Sequence, residues 1–294
     1  MTLVPPLPEP SARGEEDLKS AAARKQQELF HRLRDLRSVV VALSGGVDSS
    51  YLAWAAHRAL GSSALAVTAV SPSYPNSHRV MAERVVTEVG IAHRFIETRE
   101  MESAEYRANR PDRCYHCKSE LFDVLGRVRA DQGFESVAYG VNTDDTSDFR
   151  PGHRAAAEHG VVSPFLDVAL SKQEIRALSR AAGLPTADLP ASACLSSRLP
   201  YGTEVTPERL RQVEQAEELL RGLGFRQVRL RHHGTLARVE VDPAELPYAL
   251  DPAMAQAIAS ALKPLGFRFV TLDLEGYRTG SLNEVLPLAE KAAR

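Results

Sequence analysis

Cysteine is scarce: the 294 residues contain three, Cys114, Cys117 and Cys194. So small and odd a set excludes a disulfide-stapled scaffold and points to a reducing, cytoplasmic setting. Long apolar runs are missing too. None reaches the roughly 18 residues of a membrane helix, and Met1-Thr2-Leu3-Val4 lacks the basic and apolar regions of a signal peptide. Charge of one sign is absent, since 36 basic and 38 acidic residues leave a net charge of −2. That balance supplies no basic field for general nucleic-acid binding. No internal repeat is visible. Two common nucleotide signatures are also missing: no G-K-[ST] completes a Walker A loop, and no G-x-G-x-x-G forms a dinucleotide fingerprint.

What is present is an ordinary globular composition, 44% apolar and 25% charged, long enough for about two domains. Residues 1–14 hold Pro5, Pro6, Pro8 and Pro10 and are expected to form a disordered tail. A helix is predicted over Glu15–Arg37 and a buried strand over Ser38–Leu43. Helix Ser49–Leu60, strand Ala64–Val70, helix Asn76–Val89, strand His93–Glu97, helix Ser119–Ala130 and strand Ser136–Val141 follow. This alternation predicts a doubly wound α/β domain with a parallel sheet over residues 15–203. From residue 204 the pattern changes. Thr206-Pro207-Glu208 opens a helix to about Leu223. Strands Gln227–His232 and Leu236–Val241, helix Pro252–Leu262 and strand Arg268–Leu274 complete a small α+β domain over 204–294, expected to serve substrate binding or oligomerisation.

The strongest motif is Ser44-Gly45-Gly46-Val47-Asp48-Ser49-Ser50, between a strand and a helix. Two glycines let the backbone turn tightly and aim N–H groups at an anion. The following helix adds its positive dipole end, and the serines add hydroxyls. Asp48 fits beside phosphates when Mg²⁺ bridges it to them. An ordinary strand-to-helix turn needs no more than Gly-Gly; the full S-G-G-x-D-S pattern asks for more than a turn.

This loop resembles the PP-loop of the ATP pyrophosphatase superfamily. The resemblance implies cleavage of ATP between its α and β phosphates, with adenylation of a carboxylate. It assigns Ser44, Gly45, Gly46, Val47, Asp48, Ser49 and Ser50 to the nucleotide phosphates. It places the second strand, with Thr68, against adenine. Gly140-Val141-Asn142-Thr143-Asp144-Asp145 resembles the superfamily's second segment and adds Gly140, Asn142 and Asp145, although N-T-D-D is also a good turn or helix cap.

Cys114 and Cys117 form a C-x-x-C, while Cys194 sits far off in Ala193-Cys194-Leu195-Ser196-Ser197-Arg198. Three cysteines are too few for a closed four-thiolate shell. On a [4Fe–4S] cluster they leave one iron open. Zinc with His116 is sterically awkward, and three unrelated cysteines remain an alternative.

Together with V-R-L-R-H-H-G and E-G-Y-R-T-G-S-L-N, these segments resemble LarE, the sulfur transferase family of nickel-pincer nucleotide biosynthesis. The resemblance implies that a carboxylate on a pyridinium mononucleotide is adenylated and becomes a thiocarboxylate. Some members surrender the sulfur of the cysteine matching Cys194. Others bind a [4Fe–4S] cluster through three cysteines and use sulfide, and Cys114, Cys117 and Cys194 match these. Cys194 and Asp48 are then the expected catalytic residues. Arg229 and Arg231 share a strand face and, with Arg278, are the candidates for the substrate phosphate; a solvated edge strand is the alternative. Glu217 and Glu218 lie near a carboxylate-lined metal position of the family. A homo-oligomer is expected. Competing readings are a tRNA thiolase, an amidating synthetase and a non-catalytic AMP- or metal-binding module.

Overall fold

The computed structural model describes residues 12–147, 151–190 and 193–278. Most of the expected tail and the Thr279-Gly280-Ser281 part of the last motif lie outside the described residues. In chain order the first part contains α1 (Ala12–Asp35), β1 (Val39–Ala42), α2 (Val47–Leu60), β2 (Ala64–Val70), α3 (Asn76–Val89), β3 (Ala92–Glu97), α4 (Ala104–Arg107), α5 (Arg113–Gln132) and β4 (Ser136–Ala138). Then come α6 (Pro151–Glu158), α7 (Pro164–Asp167), α8 (Lys172–Ala181) and α9 (Pro207–Gly222). The chain continues with β5 (Val228–His233), β6 (Leu236–Val241), α10 (Leu246–Ala249), α11 (Pro252–Leu262) and β7 (Phe269–Leu272).

The first sheet is parallel throughout, in the order β3-β2-β1-β4. Its strands are apolar on both sides because both faces are covered. Val39 and Val41 pack into the core beneath α1, α2, α3 and α8. Val40, between them, faces the opposite core with Phe122 and Leu125 of α5 and Ala155 of α6. Ala64 and Ala66 of β2 divide from Leu65 and Val67 in the same way, as the two-residue period of a strand requires. The architecture is the doubly wound one expected.

Chain direction reverses between β1 and β4, the central pair. Ligands of open α/β sheets bind outside the carboxyl ends of the strands at such a switch point. The Ser44 loop follows β1 and the Tyr139–Asp145 segment follows β4, so both motifs arrive at one place.

The second sheet has the order β5-β6-β7, antiparallel then parallel. Leu210, Val213, Ala216 and Leu220 recur at helical spacing along α9 and bury their stripe against Val228, Leu230 and Val239.

Three expectations shift. Helix α1 starts at Ala12, inside the supposed tail. Strand β4 stops at Ala138, because residues 139–145 leave the ladder to enter the site. Helix α5 starts at Arg113, not Ser119, so the C-x-x-C lies on its first turn. Cys114 and Cys117, three apart, are therefore neighbours on one helix surface.

Candidate active site

The loop after β1 is held open by its own side chains. Gly45 takes φ +75°, and a Cβ there would stand 2.5 Å from the His78 carbonyl oxygen. Only glycine meets both demands. The Ser49 hydroxyl accepts from Ser44 N at 3.0 Å, lies 3.0 Å from Ser44 Oγ and donates to Gly46 O at 3.2 Å. Gly46 caps α2 without a side-chain bond, leaving the first N–H groups of the helix for an outside acceptor. Val47 and Ser50 are buried. Thr68 is fully buried and bonds His93 Nε2 at 2.9 Å.

Gly140 lets the second segment approach. A Cβ there would come within 2.9 Å of the Asp48 carbonyl carbon. Asn142 is buried, and its amide reaches Asp48 Oδ1 at 3.4 Å. Asn142 N donates to Asp145 Oδ2 at 3.2 Å. Asp48, Asn142 and Asp145 thus gather as the motifs implied.

Sequence reasoning missed Lys172. Its ammonium pairs with Asp48 Oδ2 and its backbone N–H donates to Asp144. It opens α8, whose capping box of Ser171 and Glu174 sets the start of the helix. The Ser171-Lys172-Gln173-Glu174 pattern was the available signal.

The three cysteines come to one region. Arg113 is buried, and burial works against its charge; the neighbouring Cys194 and Cys114 overturn this and raise its pKa. Arg113 donates to Ser196 O at 2.8 Å and to Asn109 Oδ1. Cys117 packs beside the core of the second sheet, and burial, helped by Glu100 and Cys194, pushes its thiol well up. Cys114 is exposed. As placed, no three His, Cys, Asp or Glu side chains among the described residues are grouped to hold a metal ion.

The Cys194 loop joins the two halves. Leu195 N donates to Ser73 O at 2.9 Å, just beyond β2, and Ser196 Oγ meets Tyr106 OH at 2.6 Å. Arg231, on β5, donates to Ser197 O at 2.9 Å and pairs with Glu240 at 2.7 Å. Arg229 is buried beside it, over the Tyr277 ring, and burial followed by the Arg198 charge pushes its pKa down to about 10. Both arginines face the Cys194 loop from inside the protein, which removes the solvated-edge alternative. Arg278 is half-buried and pairs with Glu275 at 2.9 Å. Glu217 points inward to Arg198 and Arg221, while Glu218 is exposed.

Comparison with known proteins fits this geometry. The asparagine synthase family model matches residues 27–123, which span the loop and the C-x-x-C. The pyridinium-3,5-bisthiocarboxylic acid mononucleotide synthase of Lactiplantibacillus plantarum is 35% identical over 92% of this chain and 98% of that protein. The chain belongs to the LarE family. An uncharacterised protein of Synechocystis is 44% identical over 89% of the chain and 98% of its own length. A more distant similarity, 25% identity over 69% of the chain and 68% of the relative, is to a glutamine-hydrolysing GMP synthase of Methanopyrus kandleri. The LarE chain is thus matched by a relative at both ends, the PP-loop and the second sheet alike.

Proposed function

We propose that this LarE chain is an ATP-dependent sulfur transferase acting on a pyridinium dicarboxylate mononucleotide. A carboxylate leaves oxide as its departing group and so resists acyl transfer. Attack of one carboxylate oxygen on the α-phosphorus of ATP expels pyrophosphate and makes AMP the leaving group. Sulfur then attacks the acyl carbon and AMP departs. The loop N–H groups after β1 stabilise the charge that spreads over the phosphate oxygens.

The observation that carries this reading is the joining of two sites. The Cys194 loop is hydrogen-bonded to Ser73, and the segment leading from Ser73 into α3 rests against Gly45 of the phosphate loop. An acyl-adenylate formed at the loop would have a sulfur group beside it. Mg²⁺ fits the carboxylate of Asp48, and when bound it offsets phosphate charge. Lys172, paired with Asp48 in the free enzyme, turns to a phosphate oxygen as the nucleotide enters. Ser44, Ser49, Asn142 and Asp145 complete the nucleotide site. Arg229, Arg231 and Arg278 surround the approach to Cys194 and attract the phosphate of the mononucleotide.

Cys114, Cys117 and Cys194 would hold the [4Fe–4S] cluster, which supplies an open iron for sulfide. The donor set suits it. Three sulfurs share the field of one buried guanidinium, Arg113, and a cation of that kind offsets thiolate charge. Closing the ligand set requires the Cys194 loop and the first turn of α5 to approach each other. The sacrificial alternative uses Cys194 alone. The thiol forms a thioester, loss of the Cα proton breaks the Cβ–S bond, and thiocarboxylate and dehydroalanine result. A cytoplasmic homo-oligomer, with the 204–294 unit on the substrate side, completes the proposal; no helix among the described residues is long and apolar enough to cross a membrane.

Asp48→Asn tests the first half. Pyrophosphate release should fall on the order of 10²–10³-fold in a folded protein, and near-normal release would remove the assignment. Anaerobic turnover with sulfide tests the second half. Several turnovers per chain and an unchanged Cys194 mass support the cluster; a single turnover with dehydroalanine at 194 supports sacrifice.

A further inference from the structure

Arg198 is the largest of the fully buried side chains, 1% exposed. An isolated guanidinium could not survive there. Five contacts satisfy it. Nε donates to Glu217 Oε1 at 2.8 Å and Nη2 to Glu217 Oε2 at 3.0 Å, a two-pronged pairing. Nη1 donates to Ala193 O at 2.7 Å, Cys194 O at 3.0 Å and Ser197 Oγ at 2.9 Å.

The two carbonyls are the informative part. Ala193 O belongs to the peptide plane before Cys194, and Cys194 O to the plane after it. Fixing both planes fixes the two backbone dihedrals at Cys194, and with them the direction of its Cα–Cβ bond. The Ser197 hydroxyl adds a second hold by donating to Cys194 O at 2.7 Å.

The anchor is equally defined. Glu217, also 1% exposed, accepts from Leu230 N at 3.1 Å and Arg221 Nη2 at 3.0 Å besides Arg198. Its carboxylate is therefore tied to α9 and β5 together, and all its contacts are with N–H donors. Burial opposes its charge, but Arg198 keeps its pKa below the ordinary value. A carboxylate so committed is a fastening for the arginine, not the open metal ligand the family resemblance suggested.

We propose that Arg198, fastened by Glu217, is the positioning residue that aims the Cys194 sulfur at the acyl-adenylate. The proposal rests on the reading that Cys194 handles the sulfur. Arg198 touches neither nucleotide nor mononucleotide; it acts through the main chain of Cys194.

Arg198→Lys keeps the charge and loses the fork. With the full-length protein, the expected result is an unchanged unfolding midpoint within experimental scatter, unchanged ATP affinity and unchanged pyrophosphate release. Thiocarboxylate formation should fall about 10–100-fold, the effect of misplacing a reacting group. In chelator-treated protein, the ratio of Cys194 to Cys114 alkylation by iodoacetamide, read by mass spectrometry, should change at least several-fold. Glu217→Gln, which keeps the shape, should give the same separation of the two half-reactions, and it decides the matter should the lysine variant not fold. Equal losses of pyrophosphate release and sulfur transfer would overturn the proposal, as would unchanged transfer in either variant. Cys194→Ala separates the two levels. If it retains transfer, the role of Cys194 falls; if it abolishes transfer while Arg198→Lys does not, the positioning role alone falls.

Discussion

Three glycine-to-alanine substitutions separate the two forces that shape the phosphate loop. Gly45 and Gly90 both sit at φ +75°, in the region that L residues enter at a cost. They differ in surroundings. A Cβ at Gly90 meets nothing within 4 Å, whereas at Gly45 it meets His78 O at 2.5 Å and Ala82 N at 3.2 Å, both main-chain atoms of α3. Gly140 supplies the complement: ordinary φ, but a Cβ 2.9 Å from the Asp48 carbonyl carbon. Gly90→Ala should thus cost the conformational strain alone, about 1–2 kcal/mol. Gly140→Ala should cost the overlap alone, about 1–3 kcal/mol. Gly45→Ala should combine them, about 2–5 kcal/mol, because α3 must retreat by close to an ångström to restore ordinary contact. Urea unfolding followed by circular dichroism and by Trp54 fluorescence gives the stabilities. ATP affinity gives the functional half: it should drop for Gly45→Ala and Gly140→Ala, whose backbones border the cradle, and hold for Gly90→Ala. The reasoning is refuted if Gly45→Ala and Gly90→Ala prove equal in stability, or if Gly45→Ala binds ATP as the parent does.

Other outcomes follow from charge. His78 has its pKa lowered to about 4, by burial first and then by Arg198, Arg229 and Arg221. Between pH 6.5 and 4 the unfolded chain binds a proton that the folded chain refuses, so stability should decline as pH falls through that window, by on the order of 1–3 kcal/mol. His78→Gln should flatten that decline, and midpoints at pH 7 and pH 5 measure it. Glu240 is fully buried between Arg231 at 2.7 Å and Arg238 at 2.9 Å. Glu240→Gln should cost about 3–5 kcal/mol, whereas Glu83→Gln, which breaks an exposed pair with Arg79, should cost under about 1 kcal/mol; calorimetry of the two variants compares them.

The sequence by itself determined the doubly wound sheet and its phosphate loop, because their signals are local. The apolar strand run Ala64–Val70 and the helical pattern Asn76–Val89, both at their true limits, and S-G-G-x-D-S behind a strand each lie within a short length of chain. Local signals were also overlooked: Pro111-Asp112 before Arg113, and the capping box at Ser171. Tertiary structure alone decided which charges work together. Lys172 meets Asp48 across 124 positions and Arg198 meets Glu217 across 19. In the sequence these residues are ordinary charged side chains, indistinguishable from solvated ones. The reason is physical: a charge becomes buried only when a distant partner compensates its lost hydration, and no spacing rule along the chain encodes who that partner is.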